Sequence, residues 1–266
     1  MKKTMAVLCV IALLFGLLAG CAGKQEEPTA SVSDSEYVKN KGTLVIGVTV
    51  FEPMDYQDAS GEWIGFDAEL AKALAETLGV KAEFQIIDWN NKVFELNGKT
   101  IDVVWNGMTL TEDVKAAMEC SAPYCNNAQV VVVPQKVADK YQTADSLKDL
   151  SFAVEIGSAG KEQAEILGLK YTEVEDQATA LLEVSSGTAD AAIIDSLMAG
   201  AMIGENTSYA DLTCTVSLNS EEYGVGFRKG SDLAAMLNEF LTEQYASGKL
   251  LELAETYGVQ KALIAQ

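Results

Sequence analysis

Histidine is absent from the 266 residues, and arginine occurs once, at Arg228. Without imidazole there is no Ser-His-Asp or Cys-His nucleophile pair, no HExxH metal helix and no mixed Cys/His zinc site. Basic residues are scarce overall: 19 Lys and Arg face 39 Asp and Glu, a formal charge of −20. That excess repels a phosphate backbone and no basic stripe offsets it, so nucleic acid is not expected as a partner. The acidic residues are scattered rather than set at EF-hand spacing, and no metal motif is present. Gly157-Ser-Ala-Gly160-Lys161 is not a Walker A loop, because Glu155 stands where its first glycine is needed. No cofactor is indicated. What is present, 48% apolar residues in a chain of this length, is enough for one large or two small packed domains.

No apolar run reaches the roughly 20 residues that a membrane-spanning helix requires. The longest, Met5 to Leu18, follows Lys2 and Lys3 and ends in Leu18-Ala19-Gly20-Cys21. This reads as a signal peptide. Its end resembles the bacterial lipobox, which implies cleavage before Cys21 and acylation of that cysteine by chains such as palmitate. The protein is then exported and lipid-anchored to the outer face of the bacterial cell membrane. Residues 1–20 are the expected signal and residues 21–41 a flexible tether, polar and without periodicity. Folding is expected to begin near Gly42. Cys120, Cys125 and Cys214 then remain; they suit buried small hydrophobes, and a Cys120–Cys125 disulfide is the alternative.

From Thr43 onward the pattern alternates. Strand Thr43–Val50 precedes a helix with Asp67 at the expected N-cap and Leu70, Leu74 and Leu78 at four-residue spacing, ended by Gly79. Strand Lys81–Ile87, a short helix near Asn91–Leu96 and strand Ile101–Trp105 complete a β-α-β-α-β unit. A second unit repeats the order: strands Ser151–Ile156, Tyr171–Val174 and Asp190–Ile194 with helices Lys161–Leu167, Ala178–Ser185 and Leu197–Ile203. The continuous apolar strands suit mainly parallel sheets covered on both faces. Ala128–Val133 and Glu222–Phe227 look like two crossings between lobes, and helices from about Asp232, behind Ser231 as N-cap, and from Lys249 return to the first lobe. The expected division is residues 42–131 plus 220–266 for lobe 1 and 132–219 for lobe 2.

Several segments in order carry a resemblance: Gly42-Thr-Leu-Val-Ile-Gly47, Phe51-Glu-Pro-Met-Asp-Tyr56, Gly65-Phe-Asp-Ala-Glu-Leu70, Asp88-Trp89, Asn106-Gly-Met-Thr109, Ser121-Ala-Pro-Tyr124, Gly157-Ser158, Asp190-Ala-Ala-Ile-Ile-Asp195 and Tyr223-Gly-Val-Gly-Phe-Arg-Lys-Gly230. Together they resemble the extracellular solute-binding proteins of polar amino acid ABC transporters, family 3. The resemblance implies a two-lobed, type II periplasmic-binding-protein-like α/β fold with a two-stranded hinge, and a cleft that closes on one ligand. Phe51 and Trp89 match positions that sandwich the ligand; Trp89 equally suits the core. Asn106 and Gly107 match positions that offer backbone carbonyls to an α-ammonium, Thr109 one that binds an α-carboxylate, and Asp195 the carboxylate that pairs with the ammonium. Ser158 opens a helix, where it serves an anion or simply caps.

One departure matters. Relatives usually carry an arginine five residues after the threonine, and here that residue is Val114. Lys115 is one position off, about 100° around a helix. Glu155 aligns near the ligand's side chain; pointing inward it makes an acidic pocket with Asp195, and pointing outward it does nothing. The expected function is capture of an amino acid or related small amine-bearing solute for delivery to an ABC transporter permease, without catalysis. The alternatives are a secreted dehydratase-like enzyme of the same fold and a ligand-sensing subunit.

Overall fold

The computed structural model of the protein describes residues 32–266; the expected signal peptide, Cys21 and most of the tether lie outside the described residues. The apolar run Thr43–Val48 forms β1. A hairpin of Tyr56–Gln57 (β2) and Trp63–Ile64 (β3) leads into the helix Phe66–Leu78, then Lys81–Ile86 (β4), the helix Lys92–Asn97 and Val103–Thr109 (β5). Strands β4, β1 and β5 run parallel and adjacent. Short strands Glu119–Cys120 (β6) and Cys125–Asn127 (β7) follow, and Gln129–Pro134 (β8) opens the second lobe. There Ser151–Glu155 (β9), Lys170–Val174 (β10) and Ala191–Asp195 (β11) alternate with helices Ala159–Leu167, Gln177–Ser186 and Ser196–Met202, before Leu212–Ser217 (β12). Strand Glu221–Phe227 (β13) returns to the first sheet, and helices Leu233–Ala246 and Lys249–Thr256 end the chain.

The first sheet has the order β4-β1-β5-β13-β6 and the second β10-β9-β11-β8-β12. Each is a parallel trio or pair of steps joined to antiparallel crossing strands, because β13 runs against β5 and β8 against β11. The chain passes between lobes at Ala128 and at 218–220. The strands flanking these passages lie side by side: Glu221 pairs Asn127, and the Leu218 N–H donates to the Gln129 carbonyl at 2.8 Å. This is the two-stranded hinge. Because all of β8 is hydrogen-bonded into the second sheet, that lobe begins three residues before the expected start at 132.

Other expectations need correction. Folding begins before Gly42, with a helix Asp34–Lys41 inside the expected tether. Only Val38 of that helix is buried, so apolar periodicity gives no sign of it; capping and charge hold it instead. The Ser33 hydroxyl accepts the Glu36 N–H, Asp34 and Glu36 lie in the first turn, and Lys39 and Lys41 in the last, each complementing the helix dipole. Asp67 is not an N-cap: Gly65 holds that position, and Asp67 is fully buried inside the helix. Ser231 stands one residue outside the N-cap Asp232, where its hydroxyl accepts the Leu233 N–H at 3.3 Å. The three cysteines are free thiols with Cys125 buried and Cys214 exposed, so neither the disulfide nor the all-buried reading holds.

Candidate ligand-binding cleft

Parallel strands end on the same side in both sheets, and their carboxyl ends face each other across a cavity of about 550 Å³. Phe51, Trp89, Asn106, Gly107 and Thr109 line it from the first lobe, and Glu155, Ser158 and Asp195 from the second. All eight sequence-derived candidates therefore share one cavity.

The first-lobe wall is held by buried polar groups behind it. Asn106 spends its whole side chain there: Oδ1 accepts the Thr49 N–H and hydroxyl at 2.9 Å, while Nδ2 donates to the Thr49 carbonyl and to Asp55. Only its backbone is left for a ligand. Gly107 adopts φ +54, and a Cβ there would stand 2.5 Å from Phe51 Cε1, so glycine lets the Phe51 ring lie on the strand end. The Gly107 N–H donates to Asp67 Oδ2 at 2.7 Å, where the Tyr124 hydroxyl also donates. Burial pushes the Asp67 carboxyl up to about 6, and burial plus the neighbouring Asp67 raises Asp55 well above the usual range. Thr109 turns its hydroxyl to Glu221 at 2.9 Å, and Glu221 also receives Asn127 and Gln129, so this cavity residue is tied to the hinge.

In the second-lobe wall, Ser158 caps the helix Ala159–Leu167, accepting the Lys161 N–H while its hydroxyl donates to the Glu155 carbonyl at 2.8 Å. Asp195 is 4% exposed at the end of β11. A buried carboxylate requires partners, and here they are amides: Asn127 and Gln129 donate to Oδ1 and Gln177 to Oδ2. Burial and the nearby Glu221 carboxylate push Asp195 up to about 7. Glu155 points inward, 3% exposed, and its Oε1 is buried without a hydrogen-bond partner. Burial, then Asp195 and Asp176 beside it, raise its carboxyl to about 8.

Sequence reasoning missed two side chains. Lys92 is 9% exposed and crosses between lobes, its ammonium donating to the carbonyls of Trp89 (3.0 Å) and Gly157 (3.1 Å) and lying 4.8 Å from the centre of the Trp89 ring. Burial brings it down to about 8. Gln177 follows the N-cap Asp176 and clasps Asp195 twice, accepting its N–H as well as donating to its carboxylate. Neither position has a spacing signal, though a lysine three residues after a cleft tryptophan lies on the same helical face. Val114 lines the cavity, and Lys115 is exposed, paired with Glu112. Arg228 is elsewhere, bonded to Asp34, to Asp102 and to the carbonyls of Leu96 and Ile101.

Two α/β lobes, a paired hinge and a ligand-sized cavity at the facing strand ends define a two-lobed solute-binding protein. The chain belongs to the bacterial extracellular solute-binding proteins, family 3, whose profile matches residues 44–260. It is 31% identical over 264 residues to the arginine-binding extracellular protein ArtP of Bacillus subtilis, covering 97% of this chain and 98% of that one. A mutant of the arginine-binding protein ArgBP from T. maritima superposes with a TM-score of 0.79 at 33% identity, over 84% of this chain and 98% of the other. An ancestral amino acid-binding protein described as a precursor of cyclohexadienyl dehydratase gives 0.77 at 32% identity, over 85% and 99%.

Proposed function

We propose that the protein is a lipid-anchored receptor that captures an amino acid or related small amine-bearing solute in this cleft and delivers it to an ABC transporter permease. The observation that carries the reading is the convergence of two buried carboxyl groups, Asp195 and Glu155, with the aromatic residues Phe51 and Trp89 on one cavity shared by both lobes. Aromatic faces enclose the body of the solute. Asp195 and the carbonyls of Asn106 and Gly107 receive its ammonium. Contacts to both lobes favour the closed form by their differential affinity for it, and the closed form is what a permease distinguishes from the empty one. The Leu18–Cys21 sequence supports the anchor, and the family's extracellular placement supports export. Among the described residues, no helix is long and apolar enough to cross a membrane.

We read the cleft as non-catalytic. A dehydratase-like enzyme needs a positioned acid or base, and the candidates here are Asp195, held by three amides, and Glu155, with no histidine to assist. The test is thermal unfolding of the purified protein, freed of ligand by unfolding and refolding, against amino acids and amines. A solute at a hundred times its dissociation constant adds about 2.7 kcal/mol to folding stability. No shift with any member of either class overturns the receptor reading.

A further inference from the structure

Resting on the receptor reading, we propose that the cleft selects a diammonium solute without a carboxylate, an α,ω-diamine or an amino-guanidine, with one cation on Asp195 and the other on Glu155. The second acid carries the argument. Glu155 Oε1 faces the cavity, buried and without a hydrogen-bond partner, and Gln177 and the nearby Lys92 ammonium offset its desolvation only in part. Glu155 and Asp195 end adjacent parallel strands, β9 and β11, in which Phe152 pairs Ala191 and Ala153 pairs Ala192. One solute spans both.

Most side-chain donors for a carboxylate, in contrast, are already engaged; the Thr111 hydroxyl and the Asn90 amide are the neutral exceptions. The hydroxyl hydrogens of Thr49, Thr109 and Ser158 go to Asn106, Glu221 and the Glu155 carbonyl. Lys92 donates to two carbonyls, and Lys161 is paired with Glu165 at 2.7 Å. The wall at Val114 is apolar, and Arg228 is sequestered by Asp34 and Asp102. The start of the helix Ala159–Leu167 carries its own acid, Glu162, in the first turn, and Glu162 lines the cavity. A neighbouring chamber of about 540 Å³ shares Thr109, Thr111, Asp113, Ala159 and Glu162 and adds Glu112, Glu221 and Glu222 with no base. A cleft walled this way concentrates cations and repels anions. An arriving ammonium also ionises Glu155, which burial otherwise keeps protonated near neutral pH, so binding releases a proton.

Matched pairs test this by calorimetry on the ligand-stripped protein: 1,5-diaminopentane against lysine, and agmatine against arginine, each pair differing only in the carboxylate. The decarboxylated member should bind at least about tenfold more tightly, with a proton released in buffers of different ionisation enthalpy. Glu155→Gln should weaken 1,5-diaminopentane by at least about tenfold and leave 1-aminopentane within about threefold. Lysine or arginine binding as tightly as its partner overturns the proposal, as does an unchanged diamine affinity in Glu155→Gln. The wild-type pairs decide even if the variant folds poorly. Binding of neutral amino acids with silence toward diamines leaves the receptor reading standing and removes this one; silence toward every amine and amino acid removes both.

Discussion

Gly157 is the point where closure of the lobes can be disturbed with a single carbon. It sits at φ +70, and a Cβ there would stand 2.8 Å from Asn90 Cα across the cleft, inside the 3.4 Å at which ordinary contact begins. An alanine in that conformation costs about 1 kcal/mol whether the lobes are together or apart. The overlap with Asn90 arises only when they meet, and overpacking of this kind costs about 1–3 kcal/mol. Gly157→Ala should therefore weaken ligand binding by about 5- to 150-fold through the closed state alone. Gly168→Ala is the control, because Gly168 has φ +63 and nothing within 4 Å of its added Cβ. Both variants should lose similar thermal stability without ligand, and only Gly157→Ala should lose affinity in calorimetry with the solute found by thermal shift. Equal affinities in the two variants would refute the idea that the Asn90–Gly157 contact belongs to the bound state.

Affinity for a diamine should rise with pH. In the empty cleft Glu155 is protonated below about 8, and the second cation requires its charged form, so Glu155 alone gives about a fiftyfold gain between pH 6 and 8. Asp195, at about 7, and Lys92, which loses its positive charge near 8, act in the same direction. Flat or falling affinity across that window contradicts the assignment. The unliganded protein should show the opposite trend: carboxyls raised above their ordinary values favour the folded state when protonated, so their contribution fades as pH climbs from the ordinary carboxylate range through about 8. Arg228→Met leaves Asp34 and the buried carbonyls of Leu96 and Ile101 without their guanidinium, and fully buried Asp102 with Lys41 as its remaining cation. It should cost about 3–5 kcal/mol and expose the amides of residues 34–41 to hydrogen exchange, while the folded fraction binds ligand normally. Unchanged protection of those amides would show that the helix does not depend on Arg228.

The parts of the fold legible in the sequence are those written in apolar periodicity. Leu70, Leu74 and Leu78 mark a buried helical face, and the uninterrupted Ala191–Ile194 run marks a strand covered on both sides. Asp34–Lys41 is invisible to that reading because its anchors are long-range polar contacts: Asp34 to Arg228, Lys41 to Asp102 and Ser35 to Asp232. Asp67 deceives for a related reason: a carboxylate near a helix start looks like a cap, yet its partners are Gly107 and Tyr124, which only the folded chain brings to it. The cleft candidates came together because each stands in the second half of a strand or in the few residues after one, where connectivity places it. Lys92 and Gln177 escaped because their partners are a backbone carbonyl of the other lobe and a carboxylate on another strand.

Calorimetric titration of the ligand-stripped protein and its Asp195→Asn variant, using an amine-bearing solute that raises the melting temperature, bears most directly on the receptor reading. If the ammonium rests on Asp195, the variant loses at least about a hundredfold in affinity, and its unliganded melting temperature also falls, because the new amide nitrogen meets a donor of Asn127, Gln129 or Gln177. Binding within about twofold of the parent would mean that the solute is held somewhere other than this carboxylate.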